Sequence, residues 1–409
     1  MEVAMKLGAP ASGSDFFGRN QVVADLWRYL ESEHIRFPGV RRLGKTSILI
    51  RLLEQAAEHG VFARKLDVSA IDSAEKFVEL LDRTFSGGLI ARFVEGSTQS
   101  MANWLKRVRK IDAQLPSTVG GGGVGLELAE GQPSDWLKKA EVLRGRLADQ
   151  PLLILIDEFP VMLQTLLAKN PQEARQLLAW LRIWRQSAGH CRFVFTGSIG
   201  LQSLLERHGL ADKMNDCYDY PLGPFRVHEA RDLWRTFAPM EDEIPWHVDD
   251  AVIEHALARI GWLSPYFVCL LLDESIRAAR ERRQEQAIPV DAVASLQIDD
   301  VDDAYDKLLA VRSRFHHWEK RLKDALPPAD LGFCLALLTQ LSRHADGLTL
   351  RQLSSRLSKH EGDPEVRAQR LQDLLVRLSD EGYTSVPDAG QRVQFLSFPL
   401  RDWWHRNHV

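Results

Sequence analysis

Apolar residues recur at two spacings along this chain. Residues 20–33 (NQVVADLWRYLESE) place Val22, Val23, Leu26, Trp27 and Leu30 at helical intervals, with Asn20 positioned to cap the helix. HIRFPGV (34–40) reads as extended. RRLGKTSILIRLLEQAAEHG reads as a loop and then a helix that stops at Gly60, and VFARKLDVSA (61–70) as a second strand. The helical pattern returns over 73–95 and over 134–149. PLLILIDEFP (151–160) is a continuous apolar run, the pattern of a strand buried on both faces of a parallel sheet. A helix over 172–187 and the strand CRFVFTGS (191–198) follow. Strands that alternate with helices predict an α/β fold built on a parallel sheet.

From about residue 226 the strands disappear and the helical spacing takes over, through HEARDLWRTFA to VDDAYDKLLAVRSRFHHWEKRL. From about 326 the pattern changes again. LGFCLALLTQLSRH is a helix, TLRQLSSRLS begins at a capping Thr349, and VRAQRLQDLLVRLSDEG puts Leu371, Leu374, Leu375 and Leu378 on one side. YTSVPDAGQRVQFLSF reads as a hairpin turning at Pro387–Gly390, and helices followed by a hairpin make a winged helix. The domains expected are 1–225, 226–325 and 326–409. Segment 96–133, with four consecutive glycines at 120–123, breaks the first of them and reads as an insertion, either a hairpin or a mobile loop.

Composition adds limits. The chain has 409 residues, 45% apolar and 26% charged, enough for two or three domains. Its formal charge of −4 argues against a globally basic nucleic-acid binder, although it permits a local basic patch. The four cysteines, Cys191, Cys217, Cys269 and Cys334, form no C-x-x-C pair, so a reduced cytoplasmic compartment fits better than a disulfide or zinc framework. The first twenty residues lack an apolar signal core, and no apolar run approaches the length of a membrane span. A soluble protein without a membrane partner is expected.

The chemistry is concentrated in Gly39-Val40-Arg41-Arg42-Leu43-Gly44-Lys45-Thr46, which matches G-x-x-x-x-G-K-[ST]. The glycines let the backbone curl so that its N–H groups face the phosphates of a nucleotide. The helix that starts near Lys45, and continues through Ser47, adds its positive end. Lys45 would reach the β- and γ-phosphates, and the Thr46 hydroxyl would ligate Mg²⁺. Such a site needs an acid on a neighbouring strand. Asp157 closes the LLILI strand at the sheet's carboxyl edge, where it would hold Mg²⁺ through water, and Glu158 could polarise the attacking water. At the tip of the next strand, Ser198 and, less favoured, Thr196 could sense the γ-phosphate; a turn is the other reading of Thr196-Gly197-Ser198.

FFGRNQVVADLWRYL, GVRRLGKTSIL, LLILIDEFP, FVFTGSIGL and YPLGPFRVHEARDLW, in that order, resemble the prokaryotic archaeal-type ATPases, near the boundary of the STAND and AAA+ P-loop groups. VQFLSFPLRDWWHR is similar to the end of their winged helix. The resemblance spans most of the chain except the glycine-rich insertion. It implies a P-loop NTPase sheet flanked by helices, then a helical lid and a C-terminal winged-helix domain. It implies ATP, rather than another nucleotide, with Phe17, Gly18 and Arg19 near the base. It also implies a lid turn of Gly-x-Pro type, whose nearest match, Gly261 to Pro265, is longer than the pattern. An arginine from a neighbouring subunit often completes such sites, and Arg207 and Arg185 are candidates, although each reads more readily as a solvated surface residue.

The function expected on this basis is an ATP-binding, ATP-hydrolysing switch that moves its lid and winged helix and acts on a protein partner or on further copies of itself, in defence or signalling. The alternative is a DNA-associated ATPase of origin-binding or transposition-helper type. Residues 329–409 hold ten basic and ten acidic residues. DNA affinity comes mainly from neutralising phosphates, so DNA is the less favoured partner, although Arg367, Arg370 and Arg377 share one helix face.

Overall fold

The computed structural model describes residues 5, 7–85, 135–148, 150–187, 189–197, 200–238, 246–289, 293–311, 313–385 and 392–409. Segment 96–133, Ser198 and the turn at 387–390 lie outside them. Two compact units divide the chain: residues 19–39 with 45–222, and residues 1–18 with 40–44 and 223–409.

The first unit is built on a five-stranded parallel sheet of β1 (His34–Phe37), β2 (Phe62–Asp67), β3 (Leu152–Asp157), β4 (Cys191–Thr196) and β5 (Cys217–Asp219), in the order β2-β3-β4-β1-β5. Helices α1 (Asn20–Leu30), α2 (Lys45–Gln55), α3 (Ala74–Phe85), α4 (Asp135–Leu147), α5 (Phe159–Lys169), α6 (Pro171–Ser187) and α7 (Leu201–Arg207) flank it. Every residue of β1, β3 and β4 is buried, as a sheet covered on both faces requires. Asp67 pairs with Asp157, and Phe37 with Thr196. The carboxyl ends of β1, β2, β3 and β4 therefore share one edge.

Three details depart from the sequence pattern. β5 is a three-residue edge strand with only Cys217 buried, too short to show a period. The apolar run 151–160 is not one strand. It ends at Asp157, Glu158 turns the chain, and α5 begins at Phe159 with Pro160 in its first turn, where a missing N–H costs little. Arg19, not Asn20, is the N-cap of α1; Asn20 is the first helical residue.

Inside the sheet, His34 is held neutral. Its Nδ1 accepts from the Phe193 amide at 3.2 Å, so Nε2 carries the proton and donates to the Arg185 carbonyl at 3.0 Å. Burial, with Arg192 alongside, pushes the imidazole down to about 3. The unfolded chain therefore binds this proton first as pH falls below the ordinary histidine value. Stability is lost through the window between about 6.5 and 3, at about 1.4 kcal/mol per pH unit. Denaturant titrations of the wild type at pH 7 and pH 5 should differ by about 2 kcal/mol from this residue, and His34→Gln should flatten that slope.

The second unit is mainly helical. It contains α8 (Val227–Phe237), α9 (Asp250–Ile260), α10 (Pro265–Glu285), α11 (Ile298–Ala310), α12 (Ser313–Ala325), α13 (Pro328–Ser342), α14 (Leu350–Arg356), α15 (Pro364–Asp380) and α16 (Phe398–His408). A two-residue parallel ladder of Trp246–His247 with Ala294–Ser295 interrupts a stretch whose sequence pattern is helical throughout. Thr349 caps α14 as its position suggests, with the Gln352 side chain closing the capping box. Leu371, Leu374, Leu375 and Leu378 are buried along α15. Beyond it, Thr384 pairs antiparallel with Phe395, and Leu348 with Val393. Among the described residues no helix is long and apolar enough to cross a membrane.

Candidate functional site

The loop between β1 and α2 carries the phosphate-loop motif, and its backbone takes the bend the glycines permit. Gly44 sits at φ +88°, a conformation that disfavours any side chain. Lys45 is buried as the first residue of α2, and its Nζ donates to the Gly39 carbonyl at 2.5 Å. Thr46 and Ser47 follow on the same helical turn. The ammonium group thus folds back onto the first residue of the motif, across the span of the loop.

The acid expected on a neighbouring strand is in reach. Thr46 Oγ1 donates to Asp157 Oδ2 at 3.1 Å. The same oxygen takes an ion pair from Lys65 Nζ of β2, also at 3.1 Å. Asp157 Oδ1 accepts from the Glu158 amide at 3.2 Å. Thr46 and Asp157 present hard oxygen donors. Hard oxygen donors of this kind are the ligands and water partners that Mg²⁺ takes, so their chemistry fits that ion.

Three of the four non-glycine residues with positive φ among the described residues belong to motifs singled out in the sequence: Arg19, Arg42 and Glu158. A left-handed conformation in such residues costs about 1–3 kcal/mol, and it persists only where the surrounding structure imposes it. Strain is therefore concentrated where the chemistry is expected.

The chain has a P-loop NTPase fold. No protein-family model matches it, and no curated protein does. Among solved structures it is similar to a Walker-type ATPase of Pyrococcus abyssi, at 15% identity and a TM-score of 0.56, over 98% of this chain and 99% of that one. It is also similar to the ORC2 protein of Aeropyrum pernix, solved in ADPNP–ADP complexes, at 15% identity and a TM-score of 0.52, over 97% and 93%. At such identities the likeness is one of fold.

The other residues singled out in the sequence fall in several places. Thr196 is buried, and its hydroxyl donates to the Phe37 carbonyl at 3.1 Å, bracing β4 against β1. Ser198 lies outside the described residues. Arg185 is not a surface residue: its side chain is wholly buried and grips Asp216 with two bonds of 2.8 Å. Arg207, at the end of α7, donates to the Ser203 carbonyl. Arg19 is buried just before α1, and its carbonyl accepts from Val23.

Phe17, Gly18 and Pro265 belong to the second unit, together with Val40, Arg41, Arg42, Leu43 and Gly44. Phe17 meets Phe237 edge-on at 5.5 Å, and a Cβ on Gly18 would come within 3.1 Å of the Phe225 ring. Pro265 opens α10 behind the capping Ser264. The next residue, Tyr266, carries the Arg42 guanidinium 3.7 Å above its ring centre. A Cβ on Gly382 would come within 2.8 Å of Val40 Cβ. Burial lowers the Arg42 pKa and, with Arg42, Arg321 and Arg41 nearby, pushes His317 down to about 4. Burial raises the Glu381 pKa against the pull of its ion-pair partner Arg321 and of Arg41. Sequence reasoning singled out none of Lys65, Tyr266, Glu381 and Gly382. Lys65, on the strand paired with β3, is the one a register argument could have found.

Proposed function

We propose that the protein is an ATP-binding, ATP-hydrolysing switch in which the state of the phosphate loop is passed to the C-terminal helices. The observation that carries this reading is the division of the loop itself. Gly39, Lys45 and Thr46 belong to the sheet unit, whereas Val40 to Gly44 belong to the unit of residues 223–409, where Arg42 stacks on Tyr266. A loop that closes on phosphates cannot reorganise without disturbing that seat.

In this reading the loop amides and Lys45 grip the phosphates, with the α2 N-terminus behind them. Thr46 and Asp157 hold Mg²⁺, which when bound offsets the charge of the phosphate oxygens. Glu158 orients and deprotonates the attacking water, and Ser198 senses the γ-phosphate. Phe17, Gly18, Arg19 and Pro265 border the base. Residues 226–325 act as the lid and 326–409 as a winged helix. The partner is a protein or a further copy of the chain, with a role in defence or signalling.

Amide hydrogen exchange tests the coupling. ATP with Mg²⁺ should change protection in the segments around Tyr266, His317 and Gly382. Tyr266→Ala should bind nucleotide and lose that response, since a cation–π contact of about 0.5–2 kcal/mol is removed without touching the phosphate donors. Bound nucleotide with unchanged exchange in all three segments would end the switch reading.

A second reading, as a DNA-associated ATPase, has one specific observation in its favour. Arg343, Arg351, Arg356, Lys359 and Arg392 are exposed and make no ion pair among the described residues. Burial, with Arg356, Arg343 and Arg392, lowers the pKa of His344, so these three arginines share one neighbourhood. Against it, two of the arginines on α15 are used internally: Arg370 pairs with Asp330, and Arg367 donates to Ser354 and to the Glu361 carbonyl. Turnover stimulated by duplex DNA, with a steep salt dependence, is the outcome that would select the second reading.

A further inference from the structure

Glu158 is the N-cap of α5, at φ 58° and ψ 31°. Its carbonyl accepts from the Val161 and Met162 amides, and its own amide bonds Asp157 Oδ1. These bonds close the turn locally but do not fix where the turn sits over the sheet edge. That placement comes from the end of β4. A Cβ built on Gly197 would fall 2.3 Å from Pro160 Cδ, 2.8 Å from Pro160 Cγ and 3.6 Å from the Glu158 Cα. Gly197 is not among the positive-φ glycines, so the site needs its missing side chain and not its backbone freedom. The obstructing atoms belong to a proline ring fused to the main chain, which cannot rotate away. Behind the contact, Phe159 and Phe195 pack with ring centres 4.9 Å apart, and the Thr196 hydroxyl pins the strand end to the Phe37 carbonyl, just before the phosphate loop.

We propose that Gly197 and Pro160 are positioning residues that set the Glu158 carboxylate against the phosphate loop. Glycine at 197 is there so that the sensor strand can press directly on the proline of the catalytic turn. The inference rests on the reading of Glu158 as the water-activating group. A methyl group at 197 must drive the two segments apart by about 1 Å, a displacement that costs about 10²-fold in rate when it moves a reacting group.

The test uses the full chain with Gly197→Ala, Pro160→Ala, the double variant and Glu158→Gln. Nucleotide affinity with Mg²⁺ and kcat at saturating ATP are measured separately. Gly197→Ala should keep wild-type nucleotide affinity and lose about 10²-fold in kcat. The double variant should regain about tenfold of that loss, because the ring atoms the methyl would strike are gone. A purely structural glycine would instead lower binding and turnover together, with no rescue. Wild-type kcat in Gly197→Ala, or a double variant as slow as the single one, overturns the proposal. If Gly197→Ala does not fold, Pro160→Ala decides: a severalfold fall in kcat at unchanged affinity supports the seat, and wild-type kcat removes it. Normal turnover in Glu158→Gln would defeat the reading of Glu158 itself and leave the packing of Gly197 untouched.

Discussion

Lys45→Ala should bind ATP about 10²–10³-fold more weakly than the wild type, in a titration with a fluorescent nucleotide and Mg²⁺. Hydrogen bonds from a charged donor are worth about 1.5–3 kcal/mol each, and the ammonium group is expected to serve two phosphates at the cost of its bond to Gly39, so a loss in the lower part of the doubled range, about 3–4 kcal/mol, follows. The variant should still fold. The Lys45 Nζ bonds the Gly39 carbonyl of its own loop, and Lys45 is buried, as are Ile48, Leu49 and Leu52 of the same helix. Truncation removes local bonds and some packing, and leaves the sheet as it is. A melting temperature close to wild type, together with lost nucleotide binding, separates a missing phosphate donor from a broken fold. Equal nucleotide affinity in the two proteins would remove the basis for an ATPase.

The second large effect concerns hydrolysis alone. Glu158→Gln should lower kcat by about 10²–10⁴-fold, the range for loss of a general base, while nucleotide affinity stays at the wild-type level or rises. Glutamine keeps the size and shape of the side chain and the left-handed cap at 158, so the turn into α5 survives and only the proton acceptor is lost. The bound nucleotide recovered from this variant after incubation with ATP should be ATP, whereas the wild type should yield ADP. Asp157 is a different case. It shares one oxygen between Thr46 and Lys65, so Asp157→Asn removes the negative charge that faces Lys65 and the expected cation together. Weakened Mg²⁺-dependent binding, more than a selective loss of kcat, is expected there.

The site was legible to different depths. Gly39 to Thr46 was readable because its chemistry is local: eight consecutive residues specify the bend, the charge and the helix start. Asp157 was readable because a fully apolar strand can only be central, and the first acid after it must sit at the strand's end. The turn at Glu158 was not readable. An apolar run followed by Glu-Phe-Pro has the same pattern whether the strand continues or a helix begins, and Pro160 tips the balance only once the helix has somewhere to pack. Arg185 shows the opposite failure. On α6 it looked like a solvated charge, yet Asp216 lies opposite it in the fold and the pair is buried.

The sequence by itself determined the parallel sheet, the phosphate loop and the acid at the sheet edge, since each follows from spacing within a short window. Tertiary structure alone decided which groups meet: Lys65 with Asp157, Thr196 with Phe37, Gly197 with Pro160, and Arg42 with Tyr266. The physical reason is that periodicity reports only which face of an element is buried. A hydrogen bond, a ring stack or a missing Cβ depends on distances of a few ångströms between segments far apart in the chain, and those distances exist only after the whole core has packed.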